Sequence, residues 1–251
     1  MTNQMNETPM SKIALLIDGD NAQPSLIDKM LTETGKHGSV TIRRIYGDWT
    51  KANMKGWKDT LNINAIQPIQ QFRYTTGKNS TDSAMIIDAM DILHSDQVDG
   101  FCLVSSDSDY TRLATRIREE GYFVLGIGKE LTPKPFVNAC NVFIYTENLI
   151  PMEPVSKEKR DDHRKTAKTK KIDPVPLLKG AFDMAVQEDG WANLGTMGFY
   201  LQQLDPGFDP RTYGFKQLNQ LIRRYSGQFE LRFHEEAGRT VVYVRAKEYG
   251  G

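Results

Sequence analysis

Five aspartates stand where short apolar runs give way to polar turns or where an amphipathic stretch begins. In Ile13-Ala14-Leu15-Leu16-Ile17-Asp18-Gly19-Asp20-Asn21-Ala22 an apolar stretch closes on Asp18 and Asp20. In Phe101 to Ser105, followed by Ser106-Asp107-Ser108-Asp109-Tyr110, a second closes on Asp107 and Asp109. Asp82 opens an amphipathic stretch running from about Thr81 to His94. A short apolar run ending in a charged turn reads as a strand covered on both faces in a mostly parallel sheet. Carboxylates at its end then sit on the edge where ligands gather in open α/β sheets. Like charges a few ångströms apart suppress each other's ionisation unless a cation neutralises them. An all-oxygen set favours a hard divalent ion, Mg2+ or Mn2+, that takes carboxylates together with substrate phosphate. Such an ion can activate water and steady the leaving oxygen of a phosphodiester.

Each acid also has a plainer use. Asp20 or Asn21 can cap a helix beginning near Pro24, and Asp109 can cap the helix it opens. Asp82, on a core-facing row with Met85, Ile86, Ala89 and Leu93, does not fit that use, and neither do Asp18 and Asp107 at strand ends. The trio carries the metal reading, with Asp20 and Asp109 as further candidate ligands. Nearby, Asn21, Ser105 and Ser106 can orient water or a carboxylate. Lys78 can neutralise a substrate phosphate, although a loop lysine is more often merely solvated.

The elements that must position these residues alternate in type. Strands are expected at 13–17, 40–46, 65–72, 101–105, 122–127 and 142–145. Helices are expected at 24–36, 52–62, 81–94 and 109–120, with a helical turn at 133–139 and an N-cap at Ser80 or Thr81. Such alternation over about 140 residues argues for βαβ units around a parallel sheet, the α/β class. Segment 151–172 then turns basic and loses its apolar residues, as a linker does. It reads either as a solvated spacer or as a tether that touches nucleic acid. From 173 to 247, helices at 175–188, 194–204 and 213–225 precede strands at 229–234 and 240–245, the outline of a small winged helix. On its third helix Lys216, Gln220, Arg223 and Arg224 lie away from the apolar row, and Arg232, Arg239 and Arg245 add charge on the hairpin. A Gln/Arg/Lys face of this kind suits phosphates and base edges of RNA. Trp191, Phe199 and Tyr200 are expected in the core.

Lys+Arg and Asp+Glu both number 32, so any nucleic-acid affinity must come from local patches and not from a global field. Cys102 and Cys140 read as reduced core thiols, with neither a disulfide framework nor a zinc site. The first ten residues lack a secretory pattern and no apolar run is long enough to span a bilayer, so a cytoplasmic location without membrane contact is the expectation.

The ordered motifs Ile17-Asp18-Gly19-Asp20-Asn21, then Lys78 with Thr81-Asp82 and Asp88, then Val104-Ser105-Ser106-Asp107-Ser108-Asp109-Tyr110 resemble the NYN domain, a branch of the PIN-like ribonucleases, over residues 11–150. Residues 173–247 resemble the OST-HTH or LOTUS domain, a winged helix that accompanies NYN domains. The resemblance implies a PIN-like parallel sheet sandwiched by helices and joined by the basic linker to the winged helix. It also implies metal-dependent hydrolysis of RNA, with Asp18, Asp82 and Asp107 as metal-binding acids, Asp109 as a fourth and Asp88 in a direct or supporting role. Asp20 departs from the family pattern, in which a small or neutral residue usually separates Gly from Asn. Analogy of fold adds a homodimer. Two rival readings stand beside it. One is an RNA-binding adaptor without catalysis. The other is a haloacid-dehalogenase-like phosphatase, suggested by Asp18-Gly19-Asp20 but lacking that family's Gly-Thr continuation.

Overall fold

The computed structural model describes residues 11–72, 80–150, 173–236 and 238–247. Lys78 and the basic segment 151–172 lie outside them. The chain separates into two compact units between Leu149 and Ile150, and each is described by itself.

In the first unit, strands β1 (Lys12–Asp18), β2 (Ser39–Gly47), β3 (Gln67–Gln70), β4 (Gly100–Val104), β5 (Phe123–Gly128) and β6 (Val142–Tyr145) alternate with helices α1 (Ile27–Gly35), α2 (Lys58–Ile63), α3 (Ser80–His94), α4 (Thr111–Glu119) and α5 (Lys134–Ala139). The six strands form one sheet in the order β3-β2-β1-β4-β5-β6, and every neighbouring pair is parallel. From β1 the chain winds outward through β2 to β3, then crosses back over α3 to place β4 on the other side of β1. The two directions of winding part between β1 and β4, and a crevice opens there outside the carboxyl ends of the strands.

Residues of β1 alternate between the two faces, as the pleat requires. Ile13, Leu15 and Ile17 pack with Ile27, Met30 and Trp57 on one side. Ala14 and Leu16 pack with Met85, Ala89 and Leu93 of α3 on the other. Asp18 is next in this alternation and falls on the α3 side, at the crevice. The third strand is shorter than its apolar run suggests. It carries Pro68, which lacks the amide an interior strand needs, and it accordingly takes the sheet edge.

The second unit contains α6 (Val175–Ala185), β7 (Ala192–Asn193), α7 (Leu194–Leu204), α8 (Leu218–Arg224), β8 (Phe229–Glu236) and β9 (Arg239–Ala246). Its antiparallel sheet has the order β7-β9-β8 and covers a core that includes Leu178, Met197, Leu201, Leu221, Ile222 and Phe229. Two boundaries differ from expectation. The first helix ends at Ala185 because Val186 turns extended and bridges to Ala192. The third helix begins at Leu218 and not at Tyr213, since Gly214 takes a left-handed φ of 88° that stops the 3-10 turn Pro210–Tyr213. Strand β7 has no counterpart among the expected elements. Phe199 is 57% exposed, outside the core it was expected to join, and meets Tyr200 edge-on. Among the described residues no helix is long and apolar enough to cross a membrane.

Candidate metal centre

The acids reach the crevice on three elements: Asp18 ends β1, Asp82 lies in the first turn of α3, and Asp107 and Asp109 belong to the turn between β4 and α4. Asp82, Asp107 and Asp109 each offer a carboxylate oxygen within 4.8 Å of the others. Asp82 and Asp107 are half-buried and Asp109 is exposed. Asp18 lies outside this group. It is 1% exposed and tied down by three donors. Asn21 Nδ2 donates to its Oδ2 at 2.6 Å, the Ser105 hydroxyl to the same oxygen at 2.9 Å, and the Asp20 amide to Oδ1 at 3.1 Å. Burial raises the Asp18 pKa above the ordinary carboxylate value, the Asn21 and Ser105 bonds draw it back, and the nearby Asp82 charge raises it again.

Several expected roles change. Neither Asp20 nor Asn21 caps the helix near Pro24, where Gln23 occupies the cap without a side-chain bond. Asn21 instead holds Asp18, and Asp20 Oδ2 accepts from Thr81 Oγ1 at 3.4 Å. Ser80 and Thr81 are both inside α3, so neither is its cap. Asp107, not Asp109, caps the turn it enters, its Oδ1 accepting the Asp109 amide at 2.9 Å. Capping fixes one oxygen of Asp107, and a strand-end position therefore did not exclude a capping role. Ser105 relays between acids, because its hydroxyl donates to Asp18 and accepts the Asp107 amide at 3.1 Å. Ser106 accepts from the Lys129 amide at 2.8 Å, which joins the β4 turn to the end of β5. Asp88 faces β2, where both the Arg44 guanidinium and the Tyr46 hydroxyl donate to it.

Tyr110 is the residue that motif spacing did not assign a task. Its ring is fully buried and its hydroxyl donates to Asp82 Oδ1 at 2.8 Å. Burial and the surrounding Asp18, Asp82 and Asp107 charges push its pKa well above the ordinary phenol value, so it stays a donor. A polar hydroxyl in an otherwise apolar helix row was the only signal in the sequence. Gly19 is needed for space: its amide donates to the Tyr46 carbonyl at 2.9 Å, and a Cβ there would stand 2.8 Å from that oxygen and 2.7 Å from Met54 Cε. Close approach of β2 is thereby coupled to the direction in which Asp18 and Asp20 leave the sheet.

In the second unit, Leu221 and Ile222 are buried while Gln220, Arg223 and Arg224 face outward, with Lys216 exposed just before α8. The Lys216 amide donates to Gln220 Oε1 at 3.1 Å. On the hairpin, Arg232 and Arg245 both lie over the Trp191 ring, at 4.7 and 5.0 Å, and Arg223 lies over Phe233 at 5.1 Å. Trp191 is buried as expected, and it also serves as the shelf that flattens two guanidinium groups toward solvent. Arg239 is exposed at the start of β9.

No curated protein matches the chain. Two solved structures are similar to parts of it. One is a protein of unknown function from Vibrio parahaemolyticus, 19% identical over 55% of this chain and 94% of that one, with a TM-score of 0.46. The other is an uncharacterized protein from Nitrosomonas europaea, 30% identical over 40% of this chain and 96% of that one, with a TM-score of 0.30. The OST-HTH/LOTUS domain family matches residues 165–241. The NYN domain family matches residues 12–150, the span that carries the whole parallel sheet and all the acids, and the chain belongs to that family.

Proposed function

We propose that the first unit is a divalent-metal-dependent ribonuclease and that the second binds the RNA it cleaves. The observation that carries this reading is the convergence of Asp82, Asp107 and Asp109 at the switch point of the sheet in a chain of the NYN family. The donor set fits the group. It is all oxygen, it comes from two separate elements, and each of two acids already has one oxygen oriented by a neutral donor, Tyr110 for Asp82 and the Asp109 amide for Asp107. These features suit Mg2+ or Mn2+. A divalent ion bound there supplies charge neutralisation and an activated water for phosphodiester hydrolysis.

The chain's own residues set up that chemistry. Asp82, Asp107 and Asp109 hold the ion. Asp18 acts from beneath them, fixing Ser105 and through it the Asp107 amide, so that the turn after β4 stays registered against β1. Asp20 and Asn21 close the other side, against Thr81 and Asp18. Lys216, Gln220, Arg223, Arg224, Arg232 and Arg239 supply phosphate and base contacts in the second unit. One chain holding both raises the local concentration of RNA at an acidic site that would otherwise repel it. The buried, triply bonded carboxylate of Asp18 does not suit the exposed nucleophile of an aspartyl-phosphate phosphatase.

The test uses end-labelled single-stranded and structured RNAs with Mn2+, Mg2+ or EDTA, beside an Asp82→Asn/Asp107→Asn double variant. Cleavage that needs metal and disappears in the variant supports the reading. RNA that stays intact with either metal, yet shifts equally on a gel with both proteins, replaces the nuclease with an RNA-binding adaptor.

A further inference from the structure

A second feature of the same sheet edge lies two strands from β1. Beyond the end of β2, Trp49 lines a groove of about 570 Å³, with the buried Met54, Leu61 and Ile66 at its floor and Lys55 and Lys58 also in its lining. The floor is apolar and both lysines are exposed. Asp59, the acid of this helix, is not in the lining.

Trp49 is half-buried against the core and fixed. Its indole Nε1 donates to the Ile69 carbonyl at 3.0 Å, and its amide donates to Gln70 Oε1 at 3.0 Å. Gln70 Nε2 is in turn bound to Asp48 Oδ1 at 3.2 Å, and the same oxygen accepts the Thr50 hydroxyl at 2.6 Å. Asp48 itself is 5% exposed, whereas Gln70 is exposed and holds the Trp49 amide at the surface. A large ring held in one orientation beside a groove loses little freedom when something stacks on it.

Register places the groove relative to the acids. Asp18 pairs with Tyr46 and Tyr46 with Ile69, so the carbonyl that anchors Trp49 lies on the Asp18 row. At one strand spacing per step the separation is about 10 Å along the carboxyl edge. A flat aromatic ring, an apolar floor and two cations in the lining are complementary to a base with its phosphates. A duplex hides its base faces in the stack, so the complementary form is single-stranded.

We propose that this groove is a nucleobase subsite for single-stranded RNA, in which a base stacks on Trp49 and Lys55 and Lys58 take the adjoining phosphates. It rests on the ribonuclease reading only in that the bound strand continues toward the acids. The test uses the full chain with Arg223→Glu/Arg224→Glu, which weakens the second unit's contribution, and a 5-iodouridine-substituted oligouridylate in EDTA. Irradiation is expected to cross-link the tryptic peptide Ile45–Lys51. Trp49→Ala lowers affinity about tenfold and removes that cross-link, within the range for loss of one stacked base. Trp49→Phe, which keeps a ring and guards against misfolding, stays within about threefold of the parent. Lys55→Glu/Lys58→Glu weakens binding and flattens its salt dependence.

Unchanged affinity in Trp49→Ala with cross-links confined to residues 173–247 would overturn the proposal. A Trp49-dependent dimer in sedimentation would also overturn it, since a second copy of the chain would then fill the groove. Binding is read without metal, so the two readings fail separately. A chain that cross-links at Trp49 but cleaves nothing keeps the groove and loses the nuclease. One that cleaves normally with no Trp49 effect does the reverse.

Discussion

Tyr110→Phe isolates one hydrogen bond at the centre of the acidic crevice. The ring is fully buried, 6.4 Å from the Phe136 ring, and Phe fills the same space, so no cavity opens. What disappears is a 2.8 Å bond from a hydroxyl to the Asp82 carboxylate. A hydrogen bond to a charged group contributes about 1.5–3 kcal/mol, and Asp82 is only half-buried, so a loss of about 2 kcal/mol is expected. At about 2–4 °C per kcal/mol for a domain of this size, Tm falls by about 4–8 °C without metal. The effect on metal binding is of similar size. Asp82 loses a donor that helps orient it beside Asp107 and Asp109, and outer-shell partners of this kind are typically worth 10–100-fold in metal affinity. A carboxylate held less firmly beside two like charges presents its oxygens less well to an ion. Calorimetric titration of Mn2+ into the full chain should show the weaker binding, and saturating Mn2+ should bring RNA cleavage back close to the parent rate. Mn2+ affinity within twofold of the parent would refute the orienting role. A lowered Tm with unchanged affinity would make the hydroxyl purely structural.

Asp88→Ala removes the shared acceptor of Arg44 and Tyr46 and should cost about 2–3 kcal/mol in urea unfolding, whereas Asp88→Asn, which keeps an oxygen there, should cost less. Equal losses for the two variants would mean that the bonds across α3 and β2 contribute little. Burial pushes the thiols of Cys102 and Cys140 up to about 12, from an ordinary value of 9.0. Unfolded thiols therefore ionise first. Stability is unaffected below pH 9 and falls by about 1.4 kcal/mol per thiol for each pH unit between 9 and 12, and Cys102→Ala/Cys140→Ala should show a shallower alkaline decline. An Arg223→Ala/Arg224→Ala variant should flatten the slope of log affinity against log salt by about 1.4 on single-stranded RNA, at about 0.7 per phosphate contact, and an unchanged slope would remove α8 from the interface.

The large elements of the fold are legible because burial writes them twice, as apolar runs and as the polar turns that end them. β1 and β4 are buried along nearly their whole length and sit in the middle of the sheet. The breaks depend on single residues whose effect is conformational. Gly214 cuts the third helix of the second unit short, and Val186 leaves its helix to pair with Ala192. The candidate site divides in the same way. Type and position along the chain nominate Asp18, Asp82 and Asp107, with Asp20 and Asp109 as further candidates, whereas the oxygens that lie together are those of Asp82, Asp107 and Asp109. Type and position do not tell which acid of a pair caps a turn, because that is decided by one amide, the Asp109 N–H on Asp107. Tyr110 was hidden because a buried aromatic in a helix row has the same pattern whether or not its hydroxyl finds a carboxylate. Trp49 was hidden because its anchors, Ile69 and Gln70, belong to a strand 20 residues away.

The arrangement also explains how the fold tolerates so much acid before any ion arrives. Three of the carboxylates in the crevice are met by neutral donors of fixed direction: Asn21 and Ser105 for Asp18, Tyr110 for Asp82, and a backbone amide for Asp107. The first turn of α3 adds the positive end of a 15-residue helix beside Asp82. Dipoles of this kind soften repulsion without cancelling it, since they bring no net charge. Orientation by neutral groups holds the ligands close to the geometry that binding needs. Stability without metal and affinity for metal are therefore set by the same few bonds, and this is why a single hydroxyl at Tyr110 is expected to move both.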